Sequence, residues 1–235
     1  QPVLAVFEDI HWADPSTLEL LGLLLADAPT QRILIVMTAR PEFEPPWPTD
    51  TTFARVSLAR LEGNEVDELM AAVLGGGSLP KGVRAEVAER AAGVPLFIEE
   101  TLKMILEAGS GDPRAIPGTL QNLLTARLDA LGELKELAQL ASVAALGGEF
   151  SFELLQTVTQ SPEATLQESL AELVRAEFLY QRGTASDPVY VFKHALIWEA
   201  AYGSLLRSGR RSFHARIARV LEETFPERIE HEPEL

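Results

Sequence analysis

The stretch that decides the fold is Val3-Leu4-Ala5-Val6-Phe7-Glu8-Asp9-Ile10-His11-Trp12-Ala13-Asp14. Its apolar run is too short for a typical helix and too continuously hydrophobic for a half-exposed strand. The pattern therefore predicts a central strand of a parallel sheet that is covered on both faces. Two carboxylates, Glu8 and Asp9, follow the strand directly. Open α/β sheets bind their ligands at this carboxyl edge, so the two acids are candidate site residues.

The end of the same stretch has a structural interpretation. Acids just past a strand are common in ordinary turns, and Asp14 followed by Pro15 is typical of a helix start. Asp14 would be the N-cap and Pro15 would occupy the first helical position. The leucines that follow recur at helical spacing and predict an amphipathic helix from Pro15 to Ala26. For Asp14 alone, the sequence favours a cap over a ligand.

A second buried strand is predicted at Ile33 to Thr38, and Ala39-Arg40-Pro41 follows it. Strand, helix and strand in this order imply a right-handed parallel crossover, so Arg40 should emerge at the same sheet edge as Glu8 and Asp9. A guanidinium can grip phosphoryl oxygens in bidentate fashion, which suits a phosphate site. Considered without its neighbours, Arg40 is better interpreted as a surface arginine that ends a strand. The nearby acids Glu8 and Asp9 favour its interpretation as part of a phosphate site.

Composition bounds the class of protein. The chain has 235 residues, a formal charge of −15 and no cysteine, which excludes disulfides and thiolate–metal sites and fits a reducing, cytoplasmic setting. No apolar run approaches the ~20 residues that span a bilayer, and no secretory or lipid-anchor signal occurs. The acidic balance argues against a general nucleic-acid binder. Because Val3 is already inside a core strand, we expect these residues to be a piece of a longer protein.

Helices dominate after a third strand predicted at Arg55 to Leu58. A helix capped by Asn64 should end at the glycine run that starts at Gly75, and another should run from Gly82 to Ala92. Gly93 permits a sharp turn into a further helix whose first turn contains Pro95. The loop from Gly109 to Pro117 is the best internal boundary in the chain.

The remaining half of the chain predicts a winged-helix arrangement. Four helical patterns precede a small hairpin, which is followed by two more helices. His194 lies immediately after the second hairpin strand. The predicted elements are helices at 120–131, 134–145, 152–158 and 164–176, strands at 178–181 and 189–192, and helices at 195–206 and 211–225.

This order of elements resembles the STAND class of signalling ATPases, which are AAA+-like P-loop proteins. The similarity is greatest to the bacterial branch fused to nucleotide cyclases, kinases or LuxR-type regulators, and it covers nearly the whole chain. The residues that carry it are Glu8 to Asp14 as Walker B, Thr38-Ala39-Arg40 as sensor 1, Gly93-Val94-Pro95-Leu96 as the Gly-x-Pro element of a helical lid, and Phe192-Lys193-His194-Ala195-Leu196 leading into Ala201-Tyr202.

The resemblance implies an α/β remnant of a P-loop nucleotidase sheet, followed by a mainly α region with a helical lid and a winged-helix domain. Residues 1–61 would be the C-terminal half of the ATPase core and residues 62–112 the lid. Residues 113–194 would be the winged-helix domain. Residues 195–235 would begin an α-helical arm, which could continue as a repeat array.

The implied function is a switch that holds ADP in a closed form and ATP in an open one, with Mg²⁺. Glu8 would hold the metal through water and Asp9 would orient the attacking water, although the order Glu then Asp leaves open which acid faces the metal. Arg40 would sense the γ-phosphate and Pro95 would line the adenine pocket. His194 would reach the nucleotide phosphates, as the histidine of the related MHD motif does. The alternative for His194 is a hydrogen-bonded structural histidine.

One departure from the class limits what this chain can do. No Gly-x-x-x-x-Gly-Lys-Ser/Thr occurs in the 235 residues, so the β- and γ-phosphates have no cradle here. We therefore expect ATPase activity from the intact protein and essentially none from this piece. The expected partners are nucleotide, a fused output domain or another protein, and further copies in a nucleotide-dependent oligomer, with no membrane.

Two other functions are considered. The first is a winged-helix DNA-binding regulator, whose candidate recognition helix at 164–175 offers acids and a single arginine and so disfavours it. The second is a degenerate scaffold that keeps the fold without nucleotide. The presence of Glu8, Asp9 and Arg40 at their expected places is mild evidence against the loss of nucleotide binding.

Overall fold

The computed structural model describes residues 1–48, 53–108, 116–145, 148–184 and 187–225. The chain forms two compact units, Gln1–Ala59 and Arg60–Leu235. The sequence predicts this boundary between residues 61 and 62, which is two residues further along the chain. The boundary expected at 112/113, most of the loop expected at 109–117 and the tail beyond 225 lie outside the described residues.

The first unit is built on a parallel strand pair. Its elements are β1 (Val3–Phe7), a 3-10 turn (Ile10–Trp12), α1 (Pro15–Asp27), a second 3-10 turn (Ala28–Thr30) and β2 (Ile33–Met37). Val3 pairs with Ile33 and Phe7 pairs with Met37, so the two strands run side by side without a register shift. The parallel strand–helix–strand arrangement predicted from the sequence is confirmed.

The expectation that β1 is covered on both faces is wrong for the described residues. Leu4 and Leu34 are each about two-thirds exposed, and Val6 and Val36 on the same face are exposed as well. The alternate positions, such as Ile35, are half-buried except for Val3 at the start of β1, which is exposed. The described part of this unit holds two strands and one α-helix, which is too few elements to enclose both faces of a sheet.

The third strand expected at Arg55 to Leu58 does not form. This segment is irregular, and Val56 and Leu58 are among the most exposed apolar side chains of the described chain. β-propensity expresses packing on a pleated surface. In the described residues, no strand pairs with this segment to provide that surface.

The second unit begins with three helices, α2 (Gly63–Leu74), α3 (Lys81–Ala91) and α4 (Pro95–Ala108), here called the bundle. Their shared core includes Met70, Val87, Ile98 and Leu102, none of which is exposed. The helix start expected at Asn64 is wrong by two residues. Glu62 is the N-cap, and its side chain and that of Glu65 form a reciprocal capping box.

Gly93 shapes the turn into α4. Its φ is 76°, and a Cβ at this position would lie 2.3 Å from the carbonyl oxygen of Leu61. The backbone N–H of Leu61 donates to the Gly93 carbonyl at 2.9 Å, which brings the two segments together. The expected sharp turn before Pro95 is confirmed, since neither the φ nor the close approach suits a residue with a side chain.

The rest of the second unit, residues 120–225, is here called the sheet subdomain. Its elements are α5 (Leu120–Ala130), α6 (Leu134–Ala144), β3 (Glu149–Ser151), α7 (Phe152–Thr159), α8 (Glu163–Arg175), β4 (Leu179–Thr184), β5 (Asp187–Phe192), α9 (Ala195–Gly203) and α10 (Arg207–Thr224). The strands form an antiparallel sheet in the order β3–β5–β4. The predicted hairpin of β4 and β5 is confirmed. The third strand, β3, was not predicted, because three residues are too few to show alternation.

Candidate functional site

Backbone hydrogen bonds continue past the ends of β1 and β2. The N–H of Thr38 donates to the carbonyl of Phe7 at 2.9 Å, and the N–H of Ile10 donates to the carbonyl of Thr38 at 3.0 Å. The two chains therefore leave the sheet together at its carboxyl end. Glu8, Asp9 and Arg40 all belong to this short region, here called the sheet edge.

Asp9 has an unusual backbone at the sheet edge. Its φ of 54° and ψ of 41° are left-handed, a conformation that aspartate tolerates better than most residues. Its N–H donates to the side-chain hydroxyl of Thr38 at 2.9 Å. The carboxylates of Glu8 and Asp9 are both exposed. The fold therefore fixes the backbone of the acidic pair while leaving its oxygens open to solvent.

His11 lies beside Asp9 with both ring nitrogens buried. Neither nitrogen has a hydrogen-bond partner in the described part of the chain. The distance from Nδ1 to Oδ1 of Asp9 is 3.8 Å, which is too long for a hydrogen bond. Buried polar atoms are rarely left unpaired in native proteins. The sheet edge therefore has polar atoms available for a group that the described residues do not supply.

Arg40, the cation of the sheet edge, lies over the ring of Trp12. Its guanidinium carbon is 5.7 Å from the ring centroid, within the range of a cation–π interaction. No carboxylate among the described residues lies within 4.0 Å of it. The Trp12 ring also contacts His11, with 5.3 Å between centroids. Arg40 is thus held by an aromatic ring while its charge remains unpaired.

Asp14 is confirmed as a helix cap. Its carboxylate accepts hydrogen bonds from the N–H groups of Ser16 and Thr17, at 2.9 and 3.1 Å, and from the hydroxyl of Thr17 at 2.6 Å. The hydroxyl and then the N–H of Thr17 are the main causes of a lowered Asp14 pKa. All of its capping contacts serve the first turn of α1.

Pro95 and His194 belong to the second unit, whereas Glu8, Asp9 and Arg40 belong to the first. Pro95 is the exposed first residue of α4. His194 is the half-buried N-cap of α9, and its carbonyl accepts from the N–H of Ile197 at 3.0 Å. Its ring takes part in none of the hydrogen bonds found between described residues. The hydrogen-bonded structural role considered for His194 therefore lacks a side-chain partner.

The donor set at the sheet edge suits a hard cation held through water. Within the described ranges, no group of three or more His, Asp or Glu side chains is arranged to hold a metal ion. Two exposed carboxylates are the kind of ligand that Mg²⁺ accepts while it keeps several waters.

None of the helices in the described ranges is long and apolar enough to cross a membrane.

Two residues at the sheet edge have contacts that sequence reasoning missed. Thr38 was noted only as part of a motif, and its hydroxyl proves to hold the backbone of Asp9. His11 was noted in the same way, and its buried ring contacts Trp12. A polar residue that ends an apolar strand is the signal for Thr38. No feature of the sequence indicates that the His11 ring turns inward.

Part of the chain matches a known family, and most of it is similar to a longer protein. Residues 62–109 match a family described as a domain of unknown function, DUF8739, which corresponds to the bundle. The chain is also similar to an uncharacterized protein of Rhizobium meliloti (strain 1021), with 28% identity over 233 residues. The alignment covers 92% of this chain and 22% of that protein. The chain thus spans about a fifth of the length of the curated relative it matches.

Proposed function

We propose that this chain is part of a regulatory ATPase of the STAND class, a cytoplasmic switch whose output is conformational. Glu8 and Asp9 would serve Mg²⁺ and the attacking water, and Arg40 would contact the γ-phosphate. The phosphate-cradling loop would come from a segment outside these 235 residues. Without that loop the chain alone would not hydrolyse ATP, because phosphoryl transfer depends chiefly on positioning and electrostatics.

The observation that carries this proposal is the geometry of the sheet edge. Two parallel strands without a register shift bring an exposed acidic pair and an unpaired arginine to the same end of the sheet. Arginine and carboxylates that are not paired with each other can each face a ligand. A Mg²⁺–phosphate group offers both the cation and the anion that such a set would bind.

The buried nitrogens of His11 support the same proposal. Both lie at the sheet edge without a hydrogen-bond partner in the described chain, and Oδ1 of Asp9 is 3.8 Å from Nδ1. Phosphate oxygens and metal-bound waters would satisfy them, since a histidine ring carries one donor and one acceptor nitrogen when neutral. The donor set therefore fits a nucleotide with its metal.

The open face of the sheet supports the proposal that further structure surrounds β1 and β2. Parallel strands occur almost only in sheets covered on both faces. Here Leu4, Val6, Leu34 and Val36 leave one face apolar and exposed. The length of the Rhizobium meliloti relative is consistent with additional chain around such a sheet.

In the proposed switch, the bundle would be the lid, the part of the sheet subdomain up to His194 would be the winged-helix domain, and α9 and α10 would begin the α-helical arm. Pro95 would line the adenine pocket, His194 would approach the phosphates, and a fused output domain or a partner protein would respond. Direct DNA binding is disfavoured, because Glu163, Glu168 and Glu172 are exposed on α8 and would repel backbone phosphates.

The test is nucleotide binding by the natural full-length polypeptide. Equilibrium binding of ATP and ADP, each with Mg²⁺, would be compared for the wild type, Arg40→Gln and Arg32→Gln. Arg32 is an exposed arginine just before β2, at the opposite end of that strand, and is the matched control. We expect Arg40→Gln to weaken ATP binding at least tenfold, to change ADP binding little, and Arg32→Gln to change neither. Equal ATP binding by both variants would exclude the proposed role of Arg40.

A further inference from the structure

The second unit has two separate hydrophobic cores joined through α5. Leu123 belongs to the core of the bundle, whereas Leu124 and Leu128 belong to the core of the sheet subdomain. Leu120, at the start of α5, packs against both cores, so α5 is shared by the two halves.

Beyond α5, the boundary between the two halves is charged. Six side chains form a continuous network across it, here called the polar seam: Glu100, Lys103 and Glu107 of α4, Arg127 of α5, Glu177 of the turn before β4, and Lys193 just after β5. Glu100 is completely buried and Arg127 nearly so. Besides the leucines of α5, the bundle therefore meets the sheet subdomain through charged side chains, two of which are buried.

Arg127 is the centre of the polar seam. Its guanidinium donates to the carboxylates of Glu100 and Glu107, the latter at 3.1 Å, and to the carbonyl of Ala176 at 2.9 Å. It also lies over the Phe178 ring, 5.1 Å from the centroid. Its Nε is buried and has no partner in the described residues. One side chain thus bonds α4 and the turn before β4 at the same time.

Glu177 anchors the other end of the polar seam. It accepts from Lys103 at 2.6 Å and from Lys193, so it connects α4 to the strand end beside His194. Its φ is 59°, a left-handed backbone that is uncommon for glutamate and persists only where the surroundings enforce it. The end of α8 enforces it, because the N–H of Glu177 donates to the Val174 carbonyl and the N–H of Phe178 donates to the Leu173 carbonyl, both at 3.0 Å. This turn holds Glu177 where both lysines reach its carboxylate.

A seam of this kind differs physically from an apolar one. When apolar surfaces separate, they become exposed to water, which costs free energy without compensation. When paired ions separate, their renewed hydration offsets much of the lost attraction. Buried ion pairs therefore contribute little net stability, but their geometry can specify one arrangement over others. A boundary made of ions separates more readily than an apolar boundary of the same size.

We infer that the polar seam is a releasable latch, which fixes one orientation of the bundle against the sheet subdomain and opens by a hinge about α5, the helix whose leucines belong to both hydrophobic cores. The inference concerns the second unit alone and does not depend on nucleotide binding. Neutralising one member of the seam should shift the population toward a separated arrangement. Replacing the buried Glu100–Arg127 pair by apolar residues should instead keep the arrangement closed.

Distance measurement between two spin labels tests the latch directly. The chain has no cysteine, so Glu89→Cys on α3 and Glu168→Cys on α8, both exposed, allow specific labelling of the two halves. We expect one narrow distance in the labelled wild type. Glu177→Gln and Arg127→Met should each add a longer distance carrying at least about a tenth of the population. The Glu100→Leu, Arg127→Met double variant should return to one distance.

The matched control is Asp129→Asn, which breaks the 2.6 Å ion pair with Lys135 outside the seam. It should leave the distance distribution unchanged. Glu177→Gln keeps the test informative even if Arg127→Met does not fold, because Glu177 is half-exposed. A single unchanged distance in Glu177→Gln at high and low salt would overturn the latch. The same longer distance in Asp129→Asn would also overturn it, since the opening would not be specific to the seam.

Discussion

The hydroxyl of Thr38 accepts a hydrogen bond from the backbone N–H of Asp9, with 2.9 Å between nitrogen and oxygen. This contact joins the ends of the two parallel strands and holds Asp9 in its left-handed conformation. Thr38→Val keeps the shape of the side chain and removes the acceptor. We expect a loss of about 1 kcal/mol in the free energy of unfolding.

Thr38→Ser, which keeps the hydroxyl, is the control for this prediction and should lose less stability. Chemical denaturation gives the free energies, and hydrogen exchange of the Asp9 amide reports the local contact. If Thr38→Val left that exchange rate unchanged, the hydroxyl would not hold the sheet edge.

Gly93→Ala should strongly destabilise the second unit. The new Cβ would meet the Leu61 carbonyl at 2.3 Å, and the left-handed φ would add strain. Together these effects should cost about 3 kcal/mol or more. Gly82→Ala is the matched control, because it lies in α3 and its Cβ would meet nothing within 4 Å. Denaturant titration should show a gain of up to ~1 kcal/mol for the control.

Asp14→Asn should keep the α1 cap while removing its dependence on pH. The hydroxyl of Thr17, followed by its N–H, lowers the Asp14 pKa below 3.8 in the folded chain. The carboxylate therefore stabilises the fold above about pH 3.8, and this contribution is lost as the pH falls through the lower folded pKa. Between pH 6 and pH 2, the melting temperature should fall less steeply in Asp14→Asn than in the wild type. Equal slopes of melting temperature against pH in the two proteins would show that the charge of Asp14 does not contribute to the cap.

Glu177 should make the second unit sensitive to acid. Hydrogen bonds from Lys103 and then Lys193 lower its pKa from 4.5 to about 2. Its stabilising contribution is complete above about pH 4.5 and is lost as the pH falls toward 2. Glu177→Gln should therefore lower the melting temperature at pH 6 and narrow its difference from the wild type at pH 2. A difference that does not depend on pH would show that the lysine contacts are not electrostatic.

Local patterns in the sequence predicted most of the elements. The parallel pairing followed from two short apolar runs around a helix. The hairpin followed from two runs of aromatic and aliphatic residues that flank the segment from Gly183 to Pro188. The cap at Asp14 and the turn at Gly93 were readable because each depends on residues close in the chain. The prediction at Arg55 to Leu58 was wrong because a strand needs a partner, and local sequence does not supply one.

The contacts at the candidate site were less predictable. The sequence placed Glu8, Asp9 and Arg40 at one sheet edge, because strand direction alone determines that placement. The Arg40–Trp12 contact, the inward ring of His11 and the polar seam depend on side-chain packing between residues that periodicity does not relate. Glu100 and Arg127, 27 positions apart, show no local signal of a buried pair.

Mg²⁺-dependent ATP hydrolysis by the natural full-length polypeptide tests the central claim most directly, with Asp9→Asn and Glu8→Gln compared against Glu42→Gln. Glu42 is an exposed acid shortly after Arg40 and is the matched control. The account predicts turnover that falls at least a hundredfold in Asp9→Asn or Glu8→Gln and stays unchanged in Glu42→Gln. Turnover that is equal in all four proteins, or a wild type that neither binds nor hydrolyses ATP, would contradict it.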